Sequence, residues 1–256
     1  MISEHAIIHP SAKIADDVSI GPGTFIGADV EIGEGTWIGP HVVIQGPTVI
    51  GKDNKIFQFA SLGDAPQDKT YNNEPTILQI GDHNVIREFC TISRGTIKGG
   101  GKTIIGSHNF FMAYTHVGHD CFLEDHITMV SYSALSGHVH VEHHAIIGGY
   151  AAIHQFVKLG AYCFIGRATY VSKDVLPYLM IAGYDATTCG LNTVGLKRAG
   201  FTSPSIDVLR RAYKIIFRKG LTTQQAQAEL EVMQLEFPEV IPFIDAILSS
   251  TRGILR

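Results

Sequence analysis

The sequence predicts a mainly β fold, a parallel β-helix prism of hexapeptide repeats, followed by a small α-helical C-terminal domain. The first observation is spacing: a large aliphatic residue stands at every sixth position, ten times in succession, from Ile8 to Leu62. That period fits neither an α-helix of 3.6 residues per turn nor a simple amphipathic strand. Repetition at this period is the signature of a hexapeptide solenoid built from short strands.

The second observation concerns the residues around each aliphatic. The residue four places later is usually small or β-branched, and Gly often follows the aliphatic directly. We expect the aliphatic to point into a narrow interior, while Gly tolerates the corner backbone. Three six-residue units then close one triangular coil, and coils stack as parallel strands about 4.8 Å apart. The series runs with interruptions to Val171, which gives roughly nine coils on that spacing.

Two interruptions of the six-residue spacing predict loops that leave the prism, near residues 64–79 and 94–104. The first gap lies between Leu62 and Ile80 and contains the polar segment GDAPQDKTYNNEPT. The second lies between Ile92 and Ile105, breaks the count of six, and contains three consecutive glycines. Long loops on a rigid scaffold often carry function.

The third observation is a change of pattern after Val171, which divides the chain into residues 1–190, the β-helix, and residues 191–256, a helical domain. Capping and stop signals predict three helices, and we expect this tail to cover the open end of the solenoid. The first helix has Ser203 as N-cap, Pro204 as first helical residue and Gly220 as stop. Thr222 or Thr223 caps a second helix that runs toward Phe237, and a third helix starts after Pro238.

Composition limits the function classes. The net charge of −4 does not indicate nucleic-acid binding, and no apolar run approaches the length of a membrane span. There is no N-terminal signal pattern, so we expect a cytoplasmic protein. The four cysteines are far apart and lack zinc-site spacing, which predicts free thiols.

The eighteen-residue coil places three of the thirteen histidines along one edge of the prism. His119, His138 and His154 are separated by about one coil each, so we expect each to lie roughly 5 Å from the next. We expect His116 to lie one strand residue to the side of this row, and Asp120 follows His119 directly. We expect the other histidines to be surface or corner residues.

Two chemistries fit this histidine row. Three imidazoles could ligate zinc, with Asp120 orienting one ligand from outside the coordination sphere. Alternatively, one histidine could act as a general base, oriented by the adjacent carboxylate. The His119–Asp120 neighbourhood favours the base, but spacing alone does not decide between the two.

The strings THVGHDC, SGHV, AIHQF, GLNTVGLKRAGF and STRGILR resemble the UDP-N-acetylglucosamine O-acyltransferases that begin lipid A synthesis. The resemblance covers essentially the whole chain. It implies a left-handed β-helix and a homotrimer with its sites in clefts between prisms. It also implies transfer of a 3-hydroxyacyl group from acyl carrier protein to the 3-hydroxyl of UDP-N-acetylglucosamine, without metal or cofactor.

The resemblance assigns roles to individual residues. His119 would be the general base, Asp120 would orient it, and the backbone N–H of Gly137 would stabilise the oxyanion. The remaining assignments concern substrate binding: His116, His138 and His154 as supporting histidines, Gln155 beside the acyl chain, Asp68 on the sugar, Asn192 and Arg198 on the nucleotide, and a basic region from Lys197 to Lys219 for the acidic carrier protein. A thioester is already activated, so a base and an oxyanion donor could suffice without a covalent intermediate.

Four positions depart from the family pattern. Thr70 stands where a substrate-binding Lys is usual. We expect the adjacent Lys69 to reach the substrate in its place. Val194 replaces an acidic residue and Ala199 replaces an Arg. These changes keep open N-acylation of a 2,3-diamino sugar nucleotide and a non-catalytic scaffold. The histidine row itself leaves a zinc lyase of carbonic-anhydrase type as a third alternative.

The fourth departure is Arg167, which stands where the family sets the length of the acyl chain and where long-chain enzymes have Gly. We expect its side chain to shorten the acyl groove. The sequence therefore predicts a preference for a shorter 3-hydroxyacyl chain.

Overall fold

The computed structural model describes residues 1–256 as a three-sided prism of parallel strands with helices at its C-terminal end. We call the sides faces I, II and III in the order in which each coil visits them. Face I contains nine strands: Ile7–Ile8, Phe25–Ile26, Val43–Ile44, Ser61–Asp64, Thr91–Ser93, His116–Val117, Ala134–Leu135, Ala152–Ile153 and Tyr170–Val171.

The other two faces complete each coil. Face II contains eight strands: Lys13–Ile14, Val30–Ile32, Thr48–Ile50, Ile77–Ile80, Lys102–Ile105, Phe122–Leu123, His140–Val141 and Lys158–Leu159. Face III contains ten: Ser19–Ile20, Trp37–Ile38, Lys55–Ile56, Val85–Ile86, Phe110–Phe111, Thr128–Met129, Ile146–Ile147, Phe164–Ile165, Leu179–Ala182 and Thr187–Leu191.

The strand register confirms the eighteen-residue coil, and two insertions interrupt it. Ile8 pairs with Ile26, one coil later, and the aliphatics from Ile20 onward are buried in one continuous core. Ile80 pairs with Ile50, thirty residues earlier, so the first loop adds twelve residues. Ile105 pairs with Ile80, so the second loop adds seven residues, which include a 3₁₀ turn over Ile97–Gly99.

The glycines that follow the aliphatics are required for a different reason from the one expected. The left-handed backbone of each corner falls two residues further on, usually on a non-glycine such as Asp29 or Tyr132. Gly33, for example, is required by clearance, because a Cβ there would lie 2.7 Å from the backbone of Gly51 in the next coil. These glycines therefore allow coils to stack closely rather than allowing the turn.

Three corners join the faces, and their left-handed residues stack from coil to coil. The corner between faces I and II is called the loop corner, because both loops leave the prism there. Its left-handed residues include Asp120, His138 and Phe156. The histidine corner, between faces II and III, carries His83, His108, His126 and His144, with ring centroids 4.7–4.9 Å apart. The aromatic corner, between faces III and I, stacks His41, Phe59, Phe89, Tyr114, Tyr132 and Tyr150.

The C-terminal residues close one end of the prism. Helices α1 Thr193–Arg198, α2 Ser203–Arg218, α3 Thr223–Met233 and α4 Ile241–Leu248 follow the last strand, with a 3₁₀ turn over Pro238–Val240. Phe201 packs against the rings of Tyr162 and Tyr178, which continue the histidine corner toward the C-terminal end of the prism. The buried carboxylate of Asp174 accepts a hydrogen bond of 2.7 Å from the hydroxyl of Ser250 and so anchors the C-terminal segment.

Several details of this region differ from the sequence prediction. Thr202, not Ser203, is the N-cap of α2, since its side chain accepts a hydrogen bond from the Ser205 backbone. Thr222 caps α3 through a reciprocal bond pair with Gln225, but α3 ends at Met233, before Phe237. The strands Leu179–Ala182 and Thr187–Leu191, which pair antiparallel, and helix α1 were not predicted, because each is short and outside the six-residue spacing. None of the helices is both long and apolar enough to span a bilayer.

Candidate active site

The loop corner brings His119 and Asp120 into direct contact. Nδ1 of His119 lies 2.7 Å from Oδ2 of Asp120, whose side chain is fully buried, while 19% of the His119 side chain is exposed. Because a carboxylate only accepts hydrogen bonds, the Nδ1 hydrogen points at Asp120. In the neutral imidazole Nε2 then carries the lone pair, and it has no hydrogen-bond partner within the chain.

Thr96 holds the buried carboxylate of Asp120 from the second loop. Its backbone N–H donates to Oδ1 at 2.7 Å, and its hydroxyl donates to Oδ2 at 2.7 Å. The backbone N–H of Asp120 itself donates to the hydroxyl of Thr103 at 2.8 Å. Removing a carboxylate from water is costly unless such donors replace the water, so Thr96 is what permits this burial. Sequence reasoning missed Thr96; its only signal was a residue able to cap a turn just before three glycines.

Gly137 lies under the ring of His119, one coil further along. A Cβ at Gly137 would lie between 2.7 and 3.1 Å from three atoms of the His119 ring, so only glycine fits there. The Gly137 N–H makes no hydrogen bond within the chain. An unpaired backbone donor beside an imidazole is the arrangement that an oxyanion requires.

His138 and His116 flank the pair. Nε2 of His138 lies 3.5 Å from Oδ2 of Asp120, and its ring meets that of His119 edge-on at 5.2 Å. Nδ1 of His116 shares a hydrogen bond of 2.7 Å with the hydroxyl of Thr91. Burial lowers the pKa of both: for His116 the charge of His119 adds to the effect, and for His138 the carboxylate of Asp120 opposes it. Both rings therefore favour the neutral form.

The spacing predicted for the third histidine is wrong in one respect. His154 occupies the position of the coil that Gly118 and Ser136 occupy, and the ring stacked on His138, at 4.3 Å, is that of Phe156. His154 donates from Nδ1 to the carbonyl of Gln155 at 3.1 Å and meets Tyr170 edge-on. His154 and Gln155 thus extend the same corner beyond His138, and the expected 5 Å contact is found between His119 and His138 but not between His138 and His154.

The first loop carries Asp68 to the same edge of the prism. Its carboxylate accepts from the backbone N–H of Thr70 at 2.8 Å and from the Thr70 hydroxyl. These bonds, with the charges of His119 and Lys98, hold the pKa of Asp68 below its ordinary value. Lys69 is exposed and makes no side-chain hydrogen bond, whereas Lys98, from the second loop, donates to the Thr70 hydroxyl at 3.0 Å.

Three predicted residues lie elsewhere in the single chain. Arg167 is on the aromatic corner, where its Cζ lies 6.0 Å from the centre of the Tyr150 ring beside a largely apolar groove of about 520 Å³. Asn192 is the N-cap of α1, and its amide also donates to the carbonyl of Tyr162 at 3.0 Å. Arg198 is exposed in the last turn of α1. No contact joins these residues to His119 within one chain.

The same corner offers ligand atoms for the zinc alternative. Atoms of His119, Asp120 and His138 able to bind a metal all lie within 4.8 Å of one another. In the hydrogen-bonded arrangement, however, Nδ1 of His119 and both oxygens of Asp120 are already engaged. A metal at these atoms would have to displace the bonds from Thr96 or His119, so the donor set suits an oriented imidazole better.

Comparison with known protein families agrees with both parts of the fold. Residues 29–61 match the family model described as bacterial transferase hexapeptide (six repeats). Residues 174–255 match the model described as UDP-N-acetylglucosamine O-acyltransferase, domain 2.

Individual relatives match over the whole chain. The acyl-[acyl-carrier-protein]–UDP-N-acetylglucosamine O-acyltransferase of Stutzerimonas stutzeri is 50% identical, covering 100% of this chain and 99% of its own. The solved structure of LpxA from Acinetobacter baumannii superposes with a TM-score of 0.98 at 46% identity, covering 100% of this chain and 99% of that one. The UDP-N-acetylglucosamine O-acyltransferase (LpxA) of Moraxella catarrhalis gives a TM-score of 0.98 at 42% identity with the same coverage. The chain belongs to the family of acyl-[acyl-carrier-protein]–UDP-N-acetylglucosamine O-acyltransferases.

Proposed function

We propose that this protein transfers a 3-hydroxyacyl group from acyl carrier protein to the 3-hydroxyl of UDP-N-acetylglucosamine, the first step of lipid A biosynthesis. The observation that carries the proposal is the His119–Asp120 pair, 2.7 Å apart, with the free N–H of Gly137 against the imidazole ring. Membership of the family supplies the two substrates.

His119 acts as general base in this proposal. Its Nε2 takes the proton of the sugar 3-hydroxyl while the oxygen attacks the thioester carbonyl. Asp120 fixes the tautomer and stabilises the imidazolium that forms, because its charge is held in place by Thr96. General-base assistance of this kind contributes roughly 10²–10⁴-fold in rate.

The N–H of Gly137 donates to the carbonyl oxygen as it becomes an oxyanion. Collapse of the tetrahedral intermediate breaks the carbon–sulfur bond, and the thiolate of the carrier leaves with the proton held by His119. The products are the ester at the sugar 3-oxygen and the free thiol of the carrier. A single oxyanion donor contributes roughly 10²–10³-fold.

A homotrimer would complete the site. In one chain, the loop corner carries the base, whereas the aromatic corner carries Arg167 with its groove and α1 carries Arg198. The loop and aromatic corners are the two edges of face I, so face-to-face packing of copies would set the loop corner of one against the aromatic corner of the next. The groove then receives the acyl chain beside His119 of the neighbouring copy.

The α2–α3 surface is the dock we propose for acyl carrier protein. A groove of about 510 Å³ there combines apolar Met233 and Phe237 with the cations of Arg211, Lys214 and Lys219. Lys219 is paired with Glu229, but Lys214 has no acidic partner. An acidic carrier would be steered to such a surface, with an association rate that falls as salt rises.

Mass analysis of the product tests the proposal. The protein is incubated with a panel of 3-hydroxyacyl carrier proteins and with UDP-N-acetylglucosamine or its 2,3-diamino analogue. We expect an O-linked 3-hydroxyacyl ester on UDP-N-acetylglucosamine. Product from the diamino analogue alone would establish N-acylation instead, and no product from either sugar would favour the scaffold. Stoichiometric zinc in protein purified without chelator would support the lyase.

A further inference from the structure

We propose that Lys98 binds the diphosphate of the sugar nucleotide, an assignment that rests on the proposed function. Lys98 belongs to the 3₁₀ turn of the second loop, two residues after Thr96. Because Thr96 is bonded to Asp120 through both its N–H and its hydroxyl, this turn has a fixed position relative to the catalytic pair.

The ammonium of Lys98 stands above the first loop. Its Nζ donates to the hydroxyl of Thr70 at 3.0 Å, and that hydroxyl in turn donates to Asp68. The charge of Lys98 and the charge of His119 both contribute to lowering the pKa of Asp68, after the two bonds from Thr70. The cation therefore lies at the mouth of the site, on the side lined by the first loop.

This ammonium has no direct anionic partner; it reaches the Asp68 carboxylate only through the Thr70 hydroxyl. No carboxylate lies within 4.0 Å of Lys98, in contrast with Lys13, Lys52 and Lys219, which are all ion-paired. An ammonium carries three donors, and only one of them is used, on a neutral hydroxyl. A cation held at an active-site mouth with two free donors is suited to a phosphate oxygen, where charge-assisted bonds are strongest.

Position 70 explains why the cation comes from the second loop. Thr70 carries no charge, but its hydroxyl accepts a hydrogen bond of 3.0 Å from the Lys98 ammonium. Lys69 is the nearer cation in sequence, but it has no hydrogen bond that would fix it. Lys98 therefore supplies from another loop the positive charge that Thr70 lacks.

The test uses three variants of the full-length protein, with Lys69→Met as the matched control for Lys98→Met. Steady-state rates are measured with UDP-N-acetylglucosamine varied and then with the acyl carrier protein varied. We expect Lys98→Met to raise KM for the sugar nucleotide about tenfold, with kcat within about twofold of wild type. KM for the carrier protein should stay unchanged, and Lys69→Met should raise KM for the sugar nucleotide less than Lys98→Met does, because the Lys69 ammonium has no hydrogen bond to fix it.

The third variant places a positive charge at position 70 in the absence of the Lys98 ammonium. Adding Thr70→Lys to Lys98→Met is expected to recover most of the lost KM, since it restores an ammonium over the same place. A purely structural role for Lys98 would lower kcat or stability and would not be rescued at position 70. Equal KM values for Lys98→Met and Lys69→Met, failure of the rescue, or an effect on KM for the carrier protein alone would overturn the assignment.

A direct titration separates this proposal from the proposed function. If wild-type protein gave no turnover, the acyltransfer proposal would fail, but binding of UDP could still be measured by calorimetry. Weaker binding of UDP by Lys98→Met than by Lys69→Met would keep the assignment of Lys98. Equal binding by the two variants would remove it.

Discussion

The loop corner and the histidine corner are both rich in imidazoles, yet only the loop corner has the arrangement that we propose for catalysis. On the histidine corner the corresponding N–H is capped by a side chain in several turns, as in Ser107 to Asp125 at 2.6 Å and Ala161 to Glu142 at 2.7 Å. On the loop corner the equivalent N–H of Gly137 has no partner, and the acid, Asp120, is buried behind His119. We therefore attribute function to the enclosed carboxylate and the free donor that meet at one imidazole, not to the number of histidines.

The largest difference between the corners should appear on removing one imidazole from each. His119→Ala is expected to lower kcat by roughly 10²–10⁴-fold, since the general base is lost. His126→Ala, on the exposed histidine corner, should leave kcat unchanged. Turnover assays with light scattering to confirm the oligomer test this pair. Full activity in His119→Ala would show that another group is the base.

The second comparison removes one buried hydroxyl from each corner. Thr96→Val deletes the 2.7 Å bond to Oδ2 of Asp120 and is expected to lower kcat by about 10–100-fold, given the strength of a hydrogen bond to a charged group. Thr36→Val deletes a hydroxyl bonded to the Gly51 carbonyl near the histidine corner and should cost stability without changing kcat. Thermal unfolding measured beside turnover separates the two effects. Equal loss of kcat in both variants would contradict the role of Thr96.

The aromatic corner provides the third test. Arg167→Gly opens the end of the groove beside Tyr150 and should shift preference toward longer 3-hydroxyacyl chains. Each buried methylene is worth about 0.8 kcal/mol, so a chain longer by two carbons should gain about tenfold in relative kcat/KM. Competition between acyl carrier proteins of different chain length measures the shift. Identical profiles for the variant and wild type would refute a role for Arg167 in chain length.

The smallest expected effect is on stability. Burial lowers the pKa of His116 in the folded protein, so the unfolded chain binds more protons at acidic pH. The stabilisation is fully present above the ordinary pKa of about 6.5 and is lost as pH falls through the lower folded value. Urea unfolding at pH 7.5 and pH 5 should show a smaller acid loss for His116→Gln than for wild type. Equal losses would mean that His116 is protonated freely in the folded state.

The six-residue spacing predicts the prism well because it states directly which residues face inward and how far apart coils lie. The same spacing brings His119 and His138 together, but it misplaces His154, because one coil beyond His138 is Phe156. Thr96 and Lys98 lie where the chain leaves the repeat, so spacing carries no information about their partners. Contacts made by a loop depend on its path, which the sequence pattern does not encode.

The anchoring of the second loop on Asp120 also determines where the chain can be lengthened. Loops are normally the sites at which insertions are tolerated, but the segment from Thr96 to Gly99 is an exception. A side chain at Gly99 would overlap the Asp120 carboxylate, whereas Gly100 and Gly101 have open space around them. An extra residue between Gly100 and Gly101 would break the 2.8 Å bond from the Gly101 N–H to the Thr96 carbonyl, and one placed two residues earlier would separate Thr96 from Asp120. Open space for a side chain is therefore not enough, and the whole turn should reject insertions.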